Sequence, residues 1–202
     1  MKKFYFLGLF ALSFILSCGT DDEPILPGEF SSIIYDPQMY DIPQPVGFSK
    51  MAQPANNIAT VEGVNLGHLL FFDPILSADN TLACAGCHGA PNAFSDNTRF
   101  SDGVDGIFGR RNSMPLFNLA WNFEELFTWD GKEFSLEKQA LEPVSNPIEM
   151  HADWKTVVKK LENHATYPFL FQQAFGSSKI DSELVTKAIA QFERTLISGN
   201  SK

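Results

Sequence analysis

Apolar residues recur at helical spacing in four stretches of the chain, and no run alternates at period two for long enough to build a strand. The clearest stretch is 181–198, where Leu184, Val185, Ala188, Ile189, Phe192 and Leu196 form one stripe. Residues 153–164 carry Trp154, Val157, Val158 and Leu161 at the same spacing, and 134–141 predicts a shorter helix stopped by Pro143. From Asn65, "NLGHLLFFDP" predicts a helix with Leu66, Leu69, Leu70 and Phe72 on its apolar face and Pro74 closing it. Ahead of it, Pro24, Pro27, Pro37, Pro43, Pro45 and Pro54 deny residues 24–64 any long regular element, so this part reads as a tether and then irregular chain wrapped on the body. Residues 89–118 make a connection whose length suggests a functional loop or a cofactor wrap. The expected fold is all-α with long irregular loops.

The first apolar run is of another kind. Met1-Lys2-Lys3 precedes apolar residues from Phe4 to Leu16, and Ser17-Cys18-Gly19 follows, the layout of an export signal too short to read comfortably as a spanning helix. Ile15-Leu16-Ser17-Cys18 resembles the lipobox of bacterial lipoproteins, in which cleavage leaves the cysteine as a lipidated N-terminus; Leu16 departs from the small residue usual at its position. The acidic run Asp21-Asp22-Glu23 resembles the surface-export tether of Bacteroidota-type lipoproteins. The expected organisation is a signal peptide over 1–17, lipidated Cys18 with a Pro-rich tether over 18–58, and a helical domain over 59–202. The expected location is the periplasm or outer membrane of a Gram-negative bacterium, with acyl chains as the membrane anchor. An ordinary signal peptide without lipidation and a retained helix are the alternatives.

With 202 residues, 44% of them apolar, the chain can bury one sizeable core. Its net charge of -9 supplies no clustered positive field, which argues against a nucleic-acid partner. Of three cysteines, lipidation of Cys18 would leave Cys84 and Cys87, in Cys84-Ala85-Gly86-Cys87-His88. Two cysteines offer a local redox pair, half a zinc site or covalent haem attachment. A structural zinc usually wants four protein ligands, and no second pair exists in the chain. A thioredoxin-like site would want a βαβ context, which the pattern lacks. His88 discriminates: two thiols can form thioethers to the porphyrin vinyls, and the adjacent imidazole can then bind iron, so the motif reads as a c-type attachment site for one haem. The 19 phenylalanines read mainly as core, and a domain enclosing a porphyrin has more apolar surface to line.

The flanking residues carry a pattern of their own. "LGHLLFFDPILS" at 66–77, "CAGCH" at 84–88, "GRRNSMPLFNLAW" at 109–121, "TWDGKEFSLEKQALEPVSNPIEM" at 128–150 and "AIAQFERTLIS" at 188–198 together resemble the N-terminal half of bacterial dihaem cytochrome c peroxidases and of the related enzymes that mature methylamine dehydrogenase. The resemblance spans about residues 60–202 and implies a c-type cytochrome domain whose haem is the peroxidatic site. It also implies a second haem in a C-terminal domain, fed by a small cytochrome c or copper protein. Cys84 and Cys87 correspond to the thioether attachments, His88 to the proximal iron ligand, Glu149 to the distal glutamate, Gln139 to its glutamine neighbour, and Trp129 to the aromatic residue between the two haems. These types suit the reduction of hydrogen peroxide to water, because O–O cleavage needs a base that takes a proton from one peroxide oxygen and returns it to the other. Without the resemblance, Glu149 reads as a solvated loop carboxylate and Trp129 as ordinary packing. Pro143 and Pro147 prevent Gln139 and Glu149 from sharing one helix face.

Two departures qualify the resemblance. Many relatives have a histidine on the loop after CxxCH that leaves the iron on reductive activation, whereas "SDNTRFSDGVDGIFG" has none and Val104 lies near its position. His68, His151 and His164 read as surface or packing residues, so the site is expected to need no ligand release. Only one CxxCH is present, and the chain is expected to be a fragment of a longer product. The family's interdomain calcium would lose most of its ligands; Asn112 is the contributor left, and a lone Asn in a loop is no calcium site. Homodimerisation comes with the resemblance alone. The competing reading is a monohaem electron-transfer lipoprotein, with Met114 or Met150 on the iron.

Overall fold

The computed structural model describes residues 33–51, 53–123 and 126–199; the leader, Cys18 and the acidic run lie outside the described residues. Seven helices carry the described part: α1 (Val61–Phe72), α2 (Cys84–Cys87), α3 (Leu136–Gln139), α4 (Leu141–Ser145), α5 (Trp154–Glu162), α6 (Tyr167–Phe175) and α7 (Ser182–Glu193). Among the described residues four short 3-10 helices and isolated bridges, such as Met39 with Thr60, accompany them, so the architecture is all-α. None of these helices is long and apolar enough to cross a membrane.

The frame is the crossing of α1 and α7. Asp181 caps α7 by accepting from Leu184 N at 2.9 Å, and Thr60 caps α1 by accepting from Gly63 N at 3.0 Å. That cap starts α1 four residues before the expected Asn65. Gly67 lets the backbones meet: a Cβ there would run into the Ala188 carbonyl. Leu66, Leu70 and Phe71 of α1 pack with Val185, Ala188, Ile189 and Phe192 of α7, the Phe71 and Phe192 rings 5.2 Å apart. The buried face of α1 thus runs through Phe71, while Leu69 and Phe72, expected on that face, are half exposed. Leu161, Val157 and Phe171 from α5 and α6 complete the core, each fully buried Leu or Phe contributing about 1.5–3 kcal/mol.

Two further features differ from the sequence expectation. Pro143 does not stop the helical region: it sits at the third position of α4, where its missing N–H is one of the unpaired first-turn groups anyway. Helix α6 was not expected, because "YPFLFQQAF" is apolar nearly all round and Pro168 looks like a breaker, yet it occupies the first turn. The Tyr167 hydroxyl donates to Asp73 Oδ2 at 2.6 Å, tying α6 to the end of α1. Residues 33–51 and 53–60 wrap irregularly, held by Tyr40 N to Ala59 O at 3.0 Å and by Trp121 Nε1 to Ser49 O at 2.7 Å.

Candidate functional site

A turn over 77–82 delivers the chain into α2. Ser77 Oγ accepts from Thr81 N and Leu82 N at 3.1 and 3.2 Å, and Lys160 Nζ, reaching over from α5, donates to Ser77 O at 2.6 Å and Asn80 Oδ1 at 2.8 Å. These bonds hold the turn before the motif begins. Helix α2 is one turn long, closed by His88 N donating to Cys84 O at 2.9 Å, and this turn sets both thiols and the imidazole on the wall of one cavity.

The backbone then bends sharply. Ala93 and Phe94 both hold left-handed φ, 59° and 54°, which is costly for residues with side chains and most of all for a bulky one. The bend turns the Phe94 carbonyl onto His88 Nδ1 at 3.1 Å. A carbonyl only accepts, so Nδ1 carries the hydrogen and Nε2 keeps a lone pair, the arrangement metal-ligating histidines usually adopt. Burial also pulls the His88 pKa down, against the backbone bond to Phe94, and favours neutral imidazole.

Cys84 and Cys87 are free thiols. Burial, with Glu193 adding, pushes Cys84 up to about 12; burial, with Asp96 and Glu149 adding, pushes Cys87 up to about 11. Protonated thiols of this kind lack the thiolate character of a redox pair. No group of three or more His, Cys, Asp or Glu among the described residues could hold a bare metal ion.

The cavity measures about 740 Å³ and lies between α2, α3, α4 and α7. Leu116, Leu136, Ala140, Val144 and Ile189 give it apolar walls, and Arg110, Arg111 and Lys132 put positive charge beside it. Gln139, at the end of α3, and Glu149, in the loop after α4, both line it, as does Trp129. The structure therefore brings together Cys84, Cys87, His88, Gln139, Glu149 and Trp129 around one space. Trp129 is 57% exposed, and its Nε1 donates to Asn112 O at 2.8 Å.

Glu149 is held from three directions. Its Oε1 accepts from Asn146 Nδ2 at 2.9 Å, its carbonyl accepts from Val104 N at 2.8 Å, and Gly103 abuts the Ile148 carbonyl so closely that any Cβ would collide. Burial, then the charge of Glu142, push the Glu149 carboxyl above the ordinary range, while the Asn146 bond opposes them. It is not a solvated loop carboxylate. Val104 is buried beneath this loop. His151 is exposed, 3.7 Å from Asp105; His68 packs on Phe72 and Phe192; and His164 packs on Tyr167. Asn112 spends its amide on the Asp96 and Thr98 carbonyls, at 2.8 and 2.7 Å.

Two polar wall residues had no role in the sequence reading. Asn146 orients Glu149, and Glu193 of α7 reaches the cavity while almost fully buried. Glu193 could have been found: it stands four residues after Ile189 on the stripe of Val185 and Ile189, a carboxylate in register with the core.

The donor set could hold a c-type haem: two unpaired thiols and a histidine with Nε2 free face a mostly apolar cavity of cofactor size, flanked by cations suited to carboxylates. Comparison with known proteins agrees. Residues 61–202 match the model of the family described as di-haem cytochrome c peroxidase. The methylamine utilization protein MauG of Methylorubrum extorquens is 41% identical over 149 residues, 73% of this chain and 42% of that protein. The cytochrome c peroxidase Ccp of Escherichia coli K12 is 39% identical over 139 residues, 68% of this chain and 29% of that protein. The chain thus spans less than half the length of either relative. A crystal structure of a MauG-like protein associated with microbial copper homeostasis superposes with a TM-score of 0.72 at 30% identity, covering 79% of this chain and 47% of that one.

Proposed function

The chain belongs to the di-haem cytochrome c peroxidase family, and on that premise we propose that its cavity carries one covalent c-type haem at which hydrogen peroxide is reduced to water. Cys84 and Cys87 would hold the haem by thioethers and His88 would bind its iron through Nε2. The observation that carries the reading is the convergence of this attachment motif with the half-buried, hydrogen-bonded carboxyl of Glu149 on one cavity.

Haem iron, when bound, supplies the peroxide-binding site and the electrons for O–O cleavage. The protein's share is proton handling. Glu149 as carboxylate takes the proton from one peroxide oxygen and returns it to the other, which then leaves as water. Asn146 donates to Oε1 and fixes that carboxylate, and the backbone bond from Val104 fixes its loop. Gln139 offers a neutral amide that can hold the peroxide without adding charge. Completing two waters takes two electrons and two further protons; the electrons would come from a small redox protein by way of a second haem domain, and Trp129 would stand on that route. The exposure of Trp129 supports its placement there. On the sequence of residues 1–23 we place the protein at a membrane facing the periplasm, anchored by lipid on Cys18.

Met114 and Met150 also line the cavity, which makes a six-coordinate electron carrier the alternative. The two are separated by mixing the haem-loaded protein with hydrogen peroxide and a chemically reduced small c-type cytochrome. We expect oxidation of the cytochrome at a rate that rises with peroxide. Oxidation that is independent of peroxide would mark a carrier.

A further inference from the structure

Glu193 is a carboxyl on the cavity wall that the mechanism above leaves unused. It is 4% exposed, it lines the cavity, and its Oε2 is buried with no hydrogen-bond partner among the described residues. The nearest cation does not neutralise it. Arg194 gives Nη2 to Glu137 Oε1 at 2.8 Å, while its Nη1 is buried and unpartnered. Glu137, from α3, also accepts from Asn57 Nδ2 at 2.7 Å; burial works to raise its pKa, and Arg194 and Asn57 outweigh that and hold it low. From α2 the half-buried Cys84 thiol is close enough for Glu193 to raise its pKa, and Glu149 lines the same cavity. From α1, His68 meets the neighbouring Phe192 ring edge-on, 5.1 Å between centroids.

An ionised carboxylate left unpaired at this depth costs several kcal/mol. Burial therefore pushes Glu193 up to about 8; Arg194 pulls it down, and the charge of Glu137 pushes it up further. With no positive charge in the cavity the residue is a neutral acid at neutral pH; the positive charge of an oxidised haem in that space would favour its ionised form.

We propose that Glu193 is the proton partner of electron transfer in this cavity, taking up one proton from solvent when a one-electron reductant delivers an electron to the haem, and releasing it when the electron leaves. The physical ground is Coulombic: an added electron removes positive charge from a low-dielectric site and makes a nearby ionised carboxylate less favourable. One electron and one proton enter together, so the buried charge stays constant.

The inference rests on the haem reading of the cavity, so covalent haem is verified first by a pyridine haemochrome spectrum. The midpoint potential is then titrated from neutral to alkaline pH. We expect the potential of the unaltered protein to fall as pH rises through a window near 8, and to be flat there in Glu193→Gln. An equal slope in both overturns the proposal. A second measurement is independent of how that variant folds. The reduced-minus-oxidised infrared difference spectrum of the unaltered protein is expected to gain the carbonyl stretch of a protonated carboxylic acid, shifted in D2O and retained in Glu149→Gln; its absence, or its loss in Glu149→Gln, overturns the proposal. A protein without covalent haem would remove the haem reading as well, whereas a haem-loaded protein with a flat potential removes the role of Glu193 alone.

Discussion

Replacing Glu149 with glutamine is expected to lower peroxide turnover on the order of 10²–10⁴-fold, the usual contribution of a positioned general base, with the haem still attached. Glutamine keeps the volume and can still accept the 2.9 Å bond from Asn146, so the loop has no reason to move. What is lost is the proton-accepting oxygen. The pH profile provides a second readout. Glu149 must be ionised to accept a proton, and burial, with Glu142 adding, raises its pKa, so turnover should fall with acidification at a pH above the ordinary carboxylate range. That acid limb should vanish in Glu149→Gln. Stopped-flow kinetics of the haem-loaded protein check both; an unchanged rate constant would remove Glu149 from proton transfer.

The combined change Cys84→Ala and Cys87→Ala is expected to abolish covalent haem. Haem staining after denaturing electrophoresis should drop from full signal to none, because a thioether survives denaturation and axial ligation does not. Both thiols are at least partly shielded and neutral, so replacing them with methyl groups removes bond-forming sulfur with little change in packing or charge. Stain persisting in the double variant would place the attachment elsewhere.

The long stripe of 181–198 and the CxxCH word were visible in the sequence because each is local: a 3.6-residue period and a five-residue pattern. The helix limits were less so. Thr60 caps α1 through a side-chain bond that no hydrophobic pattern encodes, and Pro143 and Pro168 read as breakers until their places in a first turn are known. Gln139 and Glu149 entered through resemblance, not spacing. Their convergence depends on a turn after α4 that Val104 and Gly103 clamp from a loop more than 40 residues away in sequence. Glu193 was written in plain sight on the stripe, but stripe analysis assigns such a position to packing.

The measurement closest to the central claim is the electron paramagnetic resonance spectrum of the ferric, haem-loaded protein at neutral pH. A haem held by His88 with the Glu149 side open to peroxide predicts a high-spin signal. A low-spin signal with a methionine sulfur as sixth ligand, from Met114 or Met150, would contradict it and make the cavity that of an electron carrier.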